Sequence, residues 1–107
     1  MRTTTLAEEY RRGTLFFELE DYTNAARILS EVLAEDPGNL SVRLLLARSY
    51  YHSAQLRRAE GELRRVLERD PAEAYAHLLL GRTLQRQNRP DDAAPHLRMH
   101  GVMTGES

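Results

Sequence analysis

The sequence predicts an all-α stack of three helix–turn–helix units, six antiparallel helices in all, and three observations predict it. Asp36-Pro37 returns as Asp70-Pro71, 34 residues on. Ala25, Ala59 and Ala93, then Leu29, Leu63 and Leu97, then Gly13, Ala47 and Gly81 recur at the same spacing. Leu44-Leu45-Leu46-Ala47-Arg48 reappears as Leu78-Leu79-Leu80-Gly81-Arg82. A fixed period of this length marks stacked supersecondary units, and about 34 residues is the length of a helix–turn–helix repeat. Period-2 alternation is absent wherever the helical spacing is strong, so no strand pattern competes.

The helices follow in order. Thr5 and Glu8 form a capping box ahead of a first helix that runs to about Leu19. Asp21 caps a second over about Tyr22 to Glu35. Asp36-Pro37-Gly38-Asn39 breaks the chain, because proline resists helix continuation and Gly-Asn favours a turn. Asn39 then caps a third helix, about Leu40 to Ser53. The fourth, about Leu56 to Arg69, carries Glu60 and Arg64 at the favourable i,i+4 spacing. Gly61 inside it reads as close packing or as neutral. Asp70-Pro71 breaks the chain again, with proline suited to the first turn of a fifth helix over about Pro71 to Gln87. The sixth spans about Pro90 to His100, and Pro95 removes a backbone hydrogen bond near its start. Gly101 is the expected C-cap. This gives a single domain over residues 1–101, with repeats at about 6–39, 40–73 and 74–101, and a flexible tail over 102–107. The small-residue columns let paired helices approach, with the leucine column filling the seam behind them.

With 107 residues the chain is one domain that buries roughly 60–70% of its unfolded surface. A net charge of −1 gives no general pull toward nucleic acid or anionic membrane. Without cysteine there is no disulfide framework and no thiolate chemistry. No apolar run is long enough to span a bilayer, and Met1 to Tyr10 lacks the apolar stretch of a signal peptide. The expected compartment is the cytoplasm. All 15 Lys/Arg positions are arginine, a usage that fits GC-rich coding as in some bacteria.

These columns resemble the tetratricopeptide repeat over about Leu6 to Gly101. The first unit carries Gly13, Phe16, Ala25, Leu29 and Pro37. The second carries Leu46, Ala47, Tyr50, Ala59, Leu63 and Pro71, and the third Leu80, Gly81, Leu84, Ala93 and Leu97. The resemblance implies a right-handed α-solenoid that acts as a protein-interaction scaffold. Arg12 and Glu9 stand where apolar residues are usual, which suits an end unit facing water. Arrays of this family usually close with an extra polar helix, absent here, so the sixth helix is expected to be incompletely covered.

The resemblance further implies that the first helix of each pair lines a concave groove for a partner peptide or helix. The groove residues are then Tyr10, Thr14 and Phe17, followed by Leu44, Arg48, Tyr51 and His52. The third unit adds Tyr75, Leu78, Arg82, Gln85 and Arg86. Helical spacing independently places Leu44, Arg48 and Tyr51 on one face, and Leu78, Arg82 and Gln85 on another. Tyrosine and arginine are frequent binding hot spots, and arginine grips carboxylates bidentately, so the expected partner mixes acidic and apolar side chains. Relatives that clamp chaperone tails need lysine and asparagine at columns held here by Tyr10, Thr14, Arg48, Leu78 and Arg82. Only Arg82 matches, which argues against that role. The alternative is a homodimer formed through Ala93, Ala94 and Leu97 of the uncapped sixth helix.

Other chemistry finds little support. His96 and His100 lie at i,i+4 but lack a neighbouring carboxylate or cysteine, and read as surface histidines. Arg57, Arg58, Arg64, Arg65 and Arg69 are interleaved with Glu60, Glu62 and Glu68, which reads as a solvated helix face rather than a phosphate track. There is no glycine-rich phosphate loop, nucleophile motif or metalloprotease helix, so no enzyme, cofactor or metal is expected.

Overall fold

A computed structural model describes residues 3–105. Thr5 Oγ1 accepts from Glu8 N at 3.1 Å and donates to the Glu8 carboxylate, which starts α1 (Leu6–Glu18). Asp21 and Asn39 cap α2 (Tyr22–Glu35) and α3 (Leu40–His52) in the same manner, accepting from Asn24 N and Val42 N. Then come α4 (Leu56–Arg69), α5 (Ala74–Arg86) and α6 (Pro90–Met103).

Two boundaries differ from expectation. Pro71 and Ala72 form a turn held by Ala72 N on Asp70 Oδ1, and Glu73 caps α5 by accepting from Ala76 N. The last helix passes through Gly101 to Met103, and the glycine with positive φ is Gly105, at 77°. Val102 and Met103 therefore belong to α6, while Glu106 and Ser107 of the expected tail lie outside the described residues.

Within each unit the turn between helices has the same closure. Glu20, Ala54 and Asn88 sit at φ of 60–62°. The residues after them send their N–H back to Phe16, Tyr50 and Leu84 carbonyls at 2.8–2.9 Å. A left-handed residue here satisfies carbonyls at the end of the helix. Two of the three residues are neither glycine nor asparagine, at a cost of about 1–2 kcal/mol each.

Each helix packs on its chain neighbours. Among the described residues the backbones of α1–α3 and α3–α5 also approach one another, whereas those of α2–α4 and α4–α6 stay farther apart. The odd-numbered helices thus crowd together on a concave side, and the even-numbered ones splay on the convex side. The stack measures 48 × 24 × 20 Å.

One core group joins Ala25, Ile28, Leu29 and Val32 to Val42 and Leu46. The other joins Ala47, Leu63 and Val66 to Leu80, Leu84 and Ala93, with α3 feeding both. The small-residue column works as the spacing predicts: a methyl at Gly13 would lie 2.8 Å from Leu29 Cγ, and one at Gly81 2.7 Å from Leu97 Cγ. Gly61 has no such neighbour, so close packing does not explain it.

Charged side chains depart further from the expected solvated faces. Glu9 is buried rather than facing water, with Thr4 Oγ1 donating to it at 2.6 Å and Arg12 Nη1 at 2.8 Å. Glu62 accepts from Arg43 Nη1 at 2.6 Å, and Arg43 Nη2 reaches the Pro37 carbonyl, tying α3, α4 and the preceding turn together. Glu60 accepts from Arg64 Nε, Gln87 Nε2 and Arg89 Nη1 at 2.8–3.0 Å, so it joins α4 to the α5–α6 turn.

Burial alone would raise the Glu60 carboxyl, but the bonds from Gln87, Arg64 and Arg89 outweigh it and hold the group below its ordinary value of 4.5. In that range the unfolded chain binds more protons than the folded one. The contribution is therefore complete above pH 4.5 and lost as pH falls through the folded value. Replacing Glu60 with Gln is expected to cost about 1–2 kcal/mol at neutral pH. It should also flatten the loss of stability below pH 4.5, as read by urea unfolding at several pH values.

Candidate functional site

The concave side is organised around Arg48, at the middle of α3. Its guanidinium carbon lies 4.7 Å from the centroid of Phe17 on α1 and 5.6 Å from that of Tyr75 on α5. One cation is thus held by aromatic rings from the two flanking units, which is possible because α1 and α5 both approach α3. Arg48 Nε is buried without a hydrogen-bond partner. Among the described residues no carboxylate forms an ion pair with Arg48, Arg82 or Arg86.

The aromatic surface extends from there. His52 stacks on Tyr22 at 4.6 Å, and Phe17 meets both edge-on at 5.3 and 6.0 Å. Tyr51 meets His52 at 5.5 Å. Arg86 lies 4.7 Å over the Tyr51 ring and donates from Nη1 to the Tyr51 carbonyl. Phe17, Arg48, Tyr51, His52, Tyr75 and Arg86 are therefore brought together.

The remaining expected groove residues lie differently. Tyr10 packs against the first core group, and Thr14 Oγ1 donates to the Tyr10 carbonyl within its own helix. Leu44 packs on the second core group. Leu78 is half-buried, and Arg82 and Gln85 are exposed on the same helix as Tyr75. Tyr22 joins the group although the repeat pattern does not point to it. It opens α2, outside the odd-numbered helices, and reaches the concave side because the short turn after α1 sets it beside Phe17. Two clefts of about 290 Å³ open away from these residues, one beside Tyr50 and Arg58 and one beside His96.

The local field is positive. Burial, then Arg48 and Arg86, push His52 below its ordinary 6.5, with Glu20 acting in the opposite sense. His52 is accordingly neutral at pH 7 and gains its charge only below that value. Substituting Arg48 with Gln is expected to move the His52 titration midpoint upward, toward 6.5, in an NMR pH series. An unmoved midpoint would mean that Arg48 contributes no effective field at the groove.

On the terminal helix the residues of the expected self-association face differ in burial. Ala93 is buried in the core, Ala94 is half-buried, and Leu97 is half-buried against the second core group. The exposed apolar residues of α6 are Met99, Val102 and Met103.

The sequence profile of the tetratricopeptide repeat matches residues 16–82, more than half of the chain. The chain belongs to the tetratricopeptide repeat family. The six helices among its described residues are three such repeats in a right-handed all-α solenoid. No curated protein matches it.

Solved structures with the same fold include MamA from Desulfovibrio magneticus RS-1, residues 41 to its end. That structure is 24% identical over 96% of this chain, with a TM-score of 0.89. A MamA structure designated AMB-1 is 19% identical over 94% of the chain, with a TM-score of 0.90. A point mutant of MamA is 19% identical over 92%, with a TM-score of 0.88. The tetratricopeptide chain spans 72% of the point-mutant structure, 58% of the RS-1 structure and 60% of the AMB-1 structure. At these identities the likeness concerns the fold. Membership of the family makes the chain a protein-interaction module in general terms. Among the described residues no helix is long and apolar enough to cross a membrane.

Proposed function

We propose that the concave face binds a segment of a partner protein that presents a carboxylate flanked by apolar side chains. The observation that carries this reading is Arg48, a cation stacked against Phe17 and Tyr75 with no carboxylate paired to it among the described residues. Rings against the guanidinium leave its edge as the approach for a planar carboxylate, and partial desolvation strengthens that contact. Arg82 and Arg86 extend the positive charge along α5, while Phe17, Tyr51 and Tyr75 offer apolar surface for flanking side chains. The mechanism is capture on a preformed surface, with little ordering cost in the receptor.

A displayed library of random 12-residue peptides, selected on the chain, tests this. Enrichment of Asp or Glu beside leucine-like residues, lost on the Arg48→Glu variant, is expected. Enrichment without acidic residues, or unchanged by that variant, would overturn the electrostatic part. A second reading, self-association through α6, draws support from Val102, which is 75% exposed beside Met99 and Met103.

A further inference from the structure

His77 and His96 meet between α5 and α6, apart from the groove residues and independently of them. Their Nδ1 atoms are 3.2 Å apart, and His77 Nε2 is 2.8 Å from the Pro71 carbonyl oxygen. A carbonyl only accepts, so His77 Nε2 carries a hydrogen. In the neutral ring His77 Nδ1 is then a bare lone pair, and the hydrogen between the two rings belongs to His96. The ring planes lie 26° apart with centroids 5.4 Å apart, so the two rings meet edge to edge through their Nδ1 atoms.

We propose that His77 and His96 form an open two-histidine site for a zinc-class divalent ion, bound through both Nδ1 atoms with water completing the coordination. His77 already holds the tautomer of a ligand, since metal-bound histidines usually donate their other N–H to a carbonyl or carboxylate. A small rotation of each ring turns its Nδ1 lone pair from the other nitrogen toward a shared ion. His96 becomes a ligand by carrying its ring proton on Nε2 instead of Nδ1, so neither ring changes charge. Zinc–nitrogen bonds of about 2.0–2.1 Å spanning this separation subtend an angle of about 100–105°, closer to tetrahedral than to square-planar geometry.

The surroundings keep the donors available. A cleft of about 290 Å³ opens beside His96, lined by Arg64, Leu67, Glu68 and Leu80. Arg64 opposes a cation, but Glu60 engages its Nε at 3.0 Å, and Glu68 supplies a negative charge on the same wall. Among the described residues no group of three or more His, Cys, Asp or Glu is placed to close the coordination, which leaves the remaining positions to water. Because the backbone of α6 approaches only that of α5 among the described residues, an ion held by both helices would fasten the last helix to the stack.

The test is a titration of the full chain with zinc chloride at neutral pH, followed by NMR of the imidazole nitrogens and by calorimetry. The His77 and His96 signals are expected to move together, with His52 and His100 unchanged. The His96→Gln variant should weaken zinc binding by at least about tenfold, and His100→Gln should leave it intact. No shift at millimolar zinc would overturn the proposal. So would equal affinity in His96→Gln, or shifts confined to His96 and His100. The wild-type shifts decide the matter even if a variant loosens α6.

Discussion

Truncating Leu63 to alanine is expected to lower the unfolding free energy by about 3 kcal/mol, whereas the same change at Leu97 should cost about 1–2 kcal/mol. Both residues occupy one column of the repeat, so the difference isolates position in the stack. Leu63 is fully buried on α4, which packs against both α3 and α5. A cavity there has walls on both sides, held by Ala47, Val66 and Leu80, and little room to collapse. Leu97 sits on α6, whose backbone approaches only that of α5 among the described residues, and it is half-buried. Solvent and side-chain relaxation then recover part of the loss. Urea unfolding of the two variants, compared at equal slope, reads the difference. Equal costs would show that the terminal unit is as closed as the central one. Against a typical stability of about 5–15 kcal/mol, the Leu63 loss is large enough to shift the midpoint clearly.

The parts of the fold legible in the sequence are those governed by local chemistry. Thr5, Asp21 and Asn39 cap helices because a short polar side chain before an apolar-periodic run meets an N–H three residues on. Proline suits a first helical turn, and that preference draws the expected start of α5 to Pro71, too early. The 34-residue register places Glu73 in the column of Asn39, and Glu73 is the residue that caps. Glu9, Glu60 and Glu62 read as surface charges because a one-dimensional pattern cannot show which acid meets an arginine from another helix. In the structure Arg43 and Arg89, 19 and 29 residues away from their partners, draw two of them inward.

The same divide runs through the site. That Arg48 and Tyr51 share a helix face follows from spacing alone. That Arg48 also meets rings from α1 and α5 follows only from the crowding of the odd-numbered helices. Tyr22 is invisible to the groove pattern because it lies on an even-numbered helix. The His77–His96 contact is hidden too, because helical spacing pairs His96 with His100 instead.

Glycine-to-alanine substitutions at two helical sites are expected to have opposite signs. At Gly61 the added methyl meets nothing within 4 Å, so the gain in helix propensity is unopposed and stabilises by up to about 1 kcal/mol. At Gly13 the methyl would lie 2.8 Å from both Cγ and Cδ2 of Leu29, with Ile28 Cγ2 at 3.4 Å. Leu29 is fully buried, so it cannot turn toward solvent. Overpacking of this kind costs about 1–3 kcal/mol, which offsets the propensity gain and leaves a net loss of up to about 2 kcal/mol. Ala47, in the same column of the central unit, shows that a methyl fits when the helix pair is spaced for it, so α1 and α2 must part to accept one. Gly81 falls between the two sites, because the opposing Leu97 is half-buried and can swing toward solvent. Denaturant midpoints in the order Gly61→Ala, wild type, Gly81→Ala, Gly13→Ala are the expected result. If Gly13→Ala proved as stable as Gly61→Ala, the close approach of α1 and α2 would have to be soft, and the small-residue column would not set the spacing of the pairs.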